Sequence, residues 1–374
     1  MNGPRHDVVI VGGGPTGLAL GALLAGRGID VVVLERRVPA GERDRAIGIH
    51  AAALGVLDEV GIGAAVRAEA TIIHHGVADC RRRRLADLDL GDRPVRTLPQ
   101  PRTEALLTAR FEQLAPGGLR RGEAVTDVQL REDGVRLDVD TSDGATRHYD
   151  ARYVVGADGT RSTIRAAIGS AWRPHGRPAH YAMADESTTL GLTAAELHLE
   201  PDGVVERFPL PAAHRWVARL PHPTVTLEPA EFATLVTERL GVGPAVAALG
   251  RVSPFTARQH LAAPFARGRI ALLGDAAHEL SPIGGQGMNL GWLDAAVLAA
   301  LLARALDEGA PGAPFAAYER RRLVARRAMR RAAWNTALGA PIGGLRLGLR
   351  NAAVRLLGTR PLRSVARTIV TVRD

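Results

Sequence analysis

Gly274-Asp275-Ala276-Ala277-His278-Glu279-Leu280-Ser281-Pro282-Ile283-Gly284-Gly285-Gln286-Gly287-Met288-Asn289 is the stretch on which the reading of the whole chain turns. The preceding run, Ile270 to Leu273, is short and apolar, as for a buried strand that delivers Asp275 at its carboxyl end. Pro282 requires an extended entry, and the glycines that follow let backbone come close to a flat ligand. Beyond the loop, Leu290, Leu293, Val297, Leu301 and Leu302 recur at helical spacing. The loop therefore opens a helix, whose first N–H groups and positive dipole end point at whatever lies in it.

Some 260 residues upstream lies a second glycine loop. Val8-Val9-Ile10-Val11 is the β-branched run of a parallel strand buried on both faces. Gly12-Gly13-Gly14-Pro15-Thr16-Gly17 follows, then a helix through Leu18, Leu20, Leu23 and Leu24 that stops at Gly26–Gly28. A second strand, Asp30 to Leu34, ends in Glu35. In such a β-α-β unit Gly12 permits the tight turn, Gly14 admits a pyrophosphate and Gly17 allows close helix–strand packing. Glu35 stands where an acid accepts hydrogen bonds from a ribose hydroxyl. A glycine turn with no ligand is the alternative, and the surrounding strands, helix and acid count against it. Two such loops in this order indicate one large cofactor gripped from both ends of the sequence.

At 374 residues the chain suffices for a full core and two domains. Its 46% apolar and 23% charged residues are ordinary for a globular enzyme. No run reads as a membrane span, and the N-terminus lacks a signal-peptide layout, so a cytoplasmic location is expected. The single cysteine, Cys80, excludes an internal disulfide and a multi-cysteine metal site; no metal is expected. The net charge is +9, and all 48 basic residues are arginine. Without lysine, no Schiff-base chemistry is open to the chain. Arg81 to Arg84 reads as a solvated turn, and few aromatics accompany the arginines, so no nucleic-acid partner is expected.

Between the two loops, Arg45 to His50 follows a charged stretch and precedes a helix through Leu54, Leu57 and Val60. Residues 70–98 suggest short strands, and Thr103 to Leu114 a helix. Hairpins are expected at Asp133-Gly134 and Ser142-Asp143-Gly144. Tyr153-Val154-Val155-Gly156-Ala157-Asp158-Gly159 reads as another buried strand ending in a glycine-flanked acid. From Trp172 to about Arg251 prolines are frequent and β-type segments short, the texture of an inserted sheet domain. The expected fold is α/β: a Rossmann-like cofactor-binding domain with an inserted α+β substrate domain and C-terminal helices. The expected divisions are 1–75, 99–172 and 251–320 for the first, 76–98 and 173–250 for the second, and 321–374 for the helices.

With Gly12, Asp158-Gly159 and Gly274-Asp275 in that order, residues 6–305 resemble the single-component (class A) flavoprotein aromatic hydroxylases. The resemblance implies FAD held by Gly12, Gly14, Pro15, Thr16, Gly17, Glu35, Arg36, Arg45 and Asp158. It implies Asp275 at the ribityl or pyrophosphate, and Pro282, Gly285, Gly287, Met288 and Asn289 along the isoalloxazine. Pro282 and Gly285 would form the reacting edge, with Gly48 and Ile49 where the flavin ring packs. Pro99-Gln100, Thr103-Glu104 and Leu107 are similar to the hydroxylases of bacterial aromatic polyketide pathways; that likeness places Gln100, and with it Arg102, at FAD. The departure is length: many of those hydroxylases carry a further C-terminal domain.

The family chemistry implied is reduction of FAD by NAD(P)H, addition of O2 at flavin C4a, and attack of the resulting hydroperoxide on an activated aromatic ring. The cofactor carries that chemistry, so no nucleophile triad is needed. His278 is expected to be structural. A phenol needs a base, and His180, Tyr181, His198, His214 and His222 are candidates none of which stands out; Arg207 and Trp216 are expected to face the pocket. The alternatives are a flavin-dependent reductase of a prenyl or lipid-like substrate, and a membrane-associated FAD-binding protein. The second rests on the arginine-rich C-terminal helices, which allow weak membrane-surface contact; the competing expectation is helices packed on the protein with their arginines in water. A monomer or dimer is expected.

Overall fold

The computed structural model of the protein describes residues 5–38, 46–308 and 314–359. Arg45 lies outside the described residues, as does the chain after 359.

The β-branched run near the N-terminus does what its composition dictates. Arg5–Val11 is a strand in which Val8, Val9 and Ile10 are fully buried, at the centre of an eight-stranded sheet. It pairs in parallel with Val31–Glu35 on one side and Thr146–Gly156 on the other. Leu119–Arg121 extends the sheet beyond Val31–Glu35, and Ile270–Leu272 extends it beyond Thr146–Gly156, both in parallel. Thr146–Gly156 also forms antiparallel hairpins with Val135–Thr141 and, through it, Glu123–Leu130, turning where the sequence places them. The helices Pro15–Ala25, Gln100–Leu114 and Gln286–Asp307 pack together on this sheet. Gln100–Leu114 starts three residues before the expected Thr103, because Pro101 has the fixed φ that suits a first turn.

Gln286–Asp307 is apolar and long enough, at 22 residues, to cross a membrane, which the sequence reading did not anticipate. It is a core helix here: Leu290, Trp292, Leu298 and Leu302 are fully buried.

A second sheet of seven strands runs in the order Ser253–Ala257, Ala179–Ser187, Ala213–Leu220, Val205–Leu210, Ala194–His198, His75–Cys80 and Arg83–Asp89. Helix Pro229–Leu240 covers one face with Phe232 and Val236, whose neighbours include Trp216 and Val205. Two expected divisions shift. The sheet takes in Ser253–Ala257, past 250, because that strand pairs with Ala179–Ser187. Val95–Thr97 instead joins Gly48–Ile49 and Thr71–Ile73 in a small sheet. In both cases strand backbone goes to the partner that satisfies its N–H and C=O groups.

The C-terminal helices are not simply a solvated arginine surface. Arg321 of Arg321–Leu338 bonds buried Asp294, with a donor–acceptor distance of 2.5 Å. In Gly344–Leu357, Arg350 and Val354 are buried against the second sheet, where Arg350 donates to the Leu199 carbonyl. Leu345, Leu349 and Leu356 of the same helix are exposed.

Candidate cofactor and substrate site

The parallel strands of the large sheet end at one edge, and three of the motifs collect there. Val11 runs into Gly12, whose N–H donates to the Leu34 carbonyl at 2.7 Å. The Ala157 N–H donates to the Val11 carbonyl at 2.7 Å, and the Leu273 N–H to the Gly156 carbonyl at 2.8 Å. The first glycine loop is therefore flanked by Glu35, Asp158 and Asp275 at successive strand ends, the place where open α/β sheets bind ligands.

The glycines of the first loop divide their work. A Cβ on Gly17 would stand 2.0 Å from the Gly12 carbonyl oxygen, and Gly12 itself has φ of +114°. Both are needed for the fold. A Cβ on Gly14 would meet nothing within 4 Å. Gly14 thus leaves open space at the N-terminus of Pro15–Ala25, a helix with no side-chain cap and a proline in its first turn. Exposed first-turn N–H groups beside an open cradle suit a pyrophosphate.

Glu35 accepts from the Gly13 N–H at 2.8 Å and from Arg37 Nε at 2.9 Å. Burial pushes its carboxyl up, but Arg37 and these bonds outweigh it and hold it below the ordinary value. Arg37, which the sequence reading passed over, therefore organises Glu35, while Arg36 is exposed. Asp158 Oδ2 accepts from the N–H groups of Thr163 and Ile164 at 2.7 and 3.2 Å. Its Oδ1 is buried with no hydrogen-bond partner among the described residues, and burial raises its pKa. Asp275 sits exposed on the turn Gly274–Ala276. Gln100 accepts from the Ala46 N–H at 3.3 Å and donates to Glu104 at 2.8 Å. Arg102 is half exposed and bonds Glu69 at 2.6 Å.

The second glycine loop meets the first. Trp292 Nε1 donates to the Pro15 carbonyl at 3.1 Å, and a Cβ on Gly274 would lie 3.1 Å from Thr16 Oγ1. Gly284 and Gly285 both have positive φ, +87° and +61°, a conformation that glycine reaches without strain. The turn closes with the Gly285 N–H donating to the Pro282 carbonyl at 2.9 Å, so that amide is spent within the loop. The N–H groups of the first turn of Gln286–Asp307 have no side-chain cap. His278 is fully buried and bonds Asp294 at 2.7 Å, a structural role as expected.

A cavity of about 250 Å³ opens between this loop and the second sheet. Pro282, Ile283, Gly284, Gly285, Gly48 and His50 form one end. Met183, Leu197, Phe208 and Val217 of the sheet form a wall, and Trp334, Leu338, Val354 and Leu357 of the C-terminal helices close it. Burial lowers the His50 pKa to about 4, so this ring is neutral near pH 7. The cavity also carries Glu206, Arg215 and His75.

The base candidates named from sequence lie elsewhere. His180 bonds Thr256 at 3.1 Å, and His198 lies between Asp79 and Glu196. Tyr181 is buried, stacks on Phe255 and accepts from Arg219. His214 lines a separate shallow pocket and His222 is exposed. Arg207 and Trp216 do not line the cavity: Arg207 bonds Glu196 at 2.8 Å and lies over the Trp216 ring at 5.0 Å. Side chains alternate along a strand, so Glu206 and Phe208 face the cavity while Arg207 faces away. Sequence places all of these on strands without saying which face looks inward.

The fold and the two glycine loops define a dinucleotide-binding α/β protein. The chain belongs to the FAD binding domain family, whose model matches residues 5–332. It is 34% identical over 351 residues to the 12-dehydrotetracycline 5-monooxygenase/anhydrotetracycline 6-monooxygenase of Streptomyces rimosus, covering 85% of this chain. The chain spans 66% of that relative's length. Among solved structures, OxyS anhydrotetracycline hydroxylase from Streptomyces rimosus superposes with a TM-score of 0.80 at 30% identity, over 98% of this chain and 76% of that one. The p-nitrophenol 4-monooxygenase PnpA from Pseudomonas putida superposes at 0.87 over 99% of both chains; at 23% identity it shows the fold alone. FAD fits the residues present: the open cradle at Gly14 and the uncapped helix start suit its pyrophosphate, and the unpartnered Asp158 oxygen suits a hydroxyl donor of its sugar chain.

Proposed function

We propose that the chain is an NAD(P)H-dependent flavoprotein monooxygenase that hydroxylates a phenolic or polyketide-type aromatic substrate with O2. The observation that carries this reading is the largely apolar cavity shared by the Pro282–Gly285 loop and the second sheet. A flat apolar ligand with one or two polar groups suits such walls. The matched relatives are named monooxygenases and hydroxylases, which favours oxygenation over a reductase.

FAD, when bound, supplies electron transfer from NAD(P)H and activation of O2. The chain's residues bind, orient and exclude water. In this reading Gly12, Gly14, Pro15, Thr16 and Gly17 take the pyrophosphate and Glu35 the ribose, with Arg36, Gln100, Asp158 and Asp275 as further polar contacts. Pro282, Gly285, Gly287, Met288 and Asn289 line the ring, with the helix N-terminus of Gln286–Asp307 favouring negative charge beside it. The large sheet serves as the cofactor unit and the seven-stranded sheet as the substrate unit. A cytoplasmic enzyme, monomeric or dimeric, belongs to the same proposal; the inward-facing Arg350 and Val354 favour a packed C-terminal helix over a membrane-bound one.

The test is NAD(P)H oxidation by the FAD-loaded protein across a panel of phenols in labelled O2. Label in the organic product is the expected result. Substrate reduction without incorporated oxygen would sink the reading.

A further inference from the structure

Glu206 is a buried carboxyl for which the packing offers no partner. It is 5% exposed, sits within the strand Val205–Leu210 and lines the same cavity as Pro282 and Gly285. Its neighbours in register on the adjoining strands are Leu197 and Val217, both apolar. Among the described residues no hydrogen bond or ion pair reaches its carboxyl, and burial is what raises its pKa. The cavity's guanidinium, Arg215, is bonded to both carboxylate oxygens of Asp185 at 2.7 Å. An isolated carboxyl in an apolar wall is costly, and a fold built only for stability would place a leucine there.

Resting on the monooxygenase reading above, we propose that Glu206 is the catalytic acid–base group for the aromatic hydroxyl of the substrate. Ionised Glu206 takes the hydroxyl proton. The substrate O–H bond breaks, an O–H bond forms on the Glu206 carboxyl, and the electron pair stays on the ring oxygen. The resulting phenolate enriches its ortho and para carbons for attack on an electrophilic oxygen. Burial pushes the Glu206 pKa up to about 7, which suits a group that must both accept and return a proton near neutral pH. The other titratable groups facing this region are His50 and His75 in the cavity, Arg215 held by Asp185, Arg219 on the adjoining strand Ala213–Leu220, Tyr181 one strand beyond it, and Arg350 of the C-terminal helix. Glu196 and His198 of the neighbouring strand pair with each other.

The probe is p-nitrophenol, whose ionised form is coloured, titrated into the FAD-loaded wild type, E206Q and E206D from about pH 6 to 9. In the wild type, affinity should fall about tenfold as the pH rises and two anions are forced together. E206D should keep that fall, and E206Q should reduce it to the part set by the ionisation of p-nitrophenol itself. In turnover E206Q should lower hydroxylation by about 10²- to 10⁴-fold while FAD content stays at the wild-type level. Matching pH profiles for wild type and E206Q, or no binding of p-nitrophenol by the wild type, would overturn the assignment. Should E206Q not fold, the wild type and E206D decide it, since a flat profile in both overturns it. Failure of the wild type to hydroxylate any phenol strikes at the monooxygenase reading instead, and the binding profiles still decide the role of Glu206.

Discussion

The backbone N–H of His50 donates to Oδ1 of Asn289 at 2.8 Å, across 239 residues of sequence. The same buried amide uses Nδ2 to donate to the carbonyls of Gly48, at 2.8 Å, and Gly285, at 2.6 Å. One side chain thus fixes the second glycine loop against the strand at the mouth of the cavity. Asn289→Leu keeps the volume and removes all three bonds. It should cost about 2–4 kcal/mol in urea unfolding, from net bond losses plus polar groups left buried. FAD retention on gel filtration should fall with it. Retention equal to wild type would show that the loop is held by other contacts.

Gly14 and Gly17 separate binding from folding. A methyl group at Gly14 projects into open space, so Gly14→Ala should leave the apoprotein's melting temperature within a degree or two while weakening FAD binding by tenfold or more, about 1.4 kcal/mol. Gly17→Ala drives a Cβ into the Gly12 carbonyl and should destabilise the apoprotein outright. Calorimetry of both apoproteins with FAD titration is the check. Equal destabilisation by the two changes would refute the division of labour.

Asp294 is fully buried between His278, at 2.7 Å, and Arg321, at 2.5 Å. Through it the C-terminal helix Arg321–Leu338 is anchored to the core helix Gln286–Asp307. Asp294→Ala leaves Arg321 without its carboxylate and should cost about 3–5 kcal/mol, measured by denaturant midpoint. A loss below about 1 kcal/mol would mean that Arg321 swings to solvent.

Glu206 also makes a stability prediction that does not depend on any reaction. Its carboxyl titrates near pH 7 in the folded chain against an ordinary value of 4.5. Below about pH 4.5 it is protonated in both states and adds no pH-dependent penalty. As the pH rises to about 7 the unfolded chain releases its proton first, so folding stability falls, and above that window the full penalty of about 3 kcal/mol is present. Glu206→Gln should remove that slope. The unfolding free energy of wild type relative to the variant, followed across this window, should therefore decline with pH. A constant difference would mean that the carboxyl is solvated.

The strand, glycine turn and helix that open the large sheet were legible in the sequence because local physics writes them there. A tight turn from strand into helix demands glycine at Gly12 and Gly17, and a strand buried on both faces demands the run Val8 to Val11. The substrate side was not legible. Arg207 and Trp216 were expected at the cavity, yet the neighbouring positions Glu206, Arg215 and Val217 face it. A strand's period tells which residues share a face; it does not tell which face is covered by Pro229–Leu240 and which by the glycine loop. Arg37 was likewise missed, since its value lies only in its reach back to Glu35.

Sequence alone determined the β-α-β unit and the two glycine loops, because each depends on residues close together along the chain, and the order of the three motifs pointed to the FAD-binding family. Tertiary structure alone decided that Trp292 meets Pro15, that Asn289 clamps His50, that Arg321 reaches buried Asp294, that Arg350 is buried, and that Glu206 stands in the cavity wall. Those facts arise from packing between segments that lie from 27 to 277 residues apart. Neither the spacing of glycines nor the alternation of a strand encodes which distant surface will close over it.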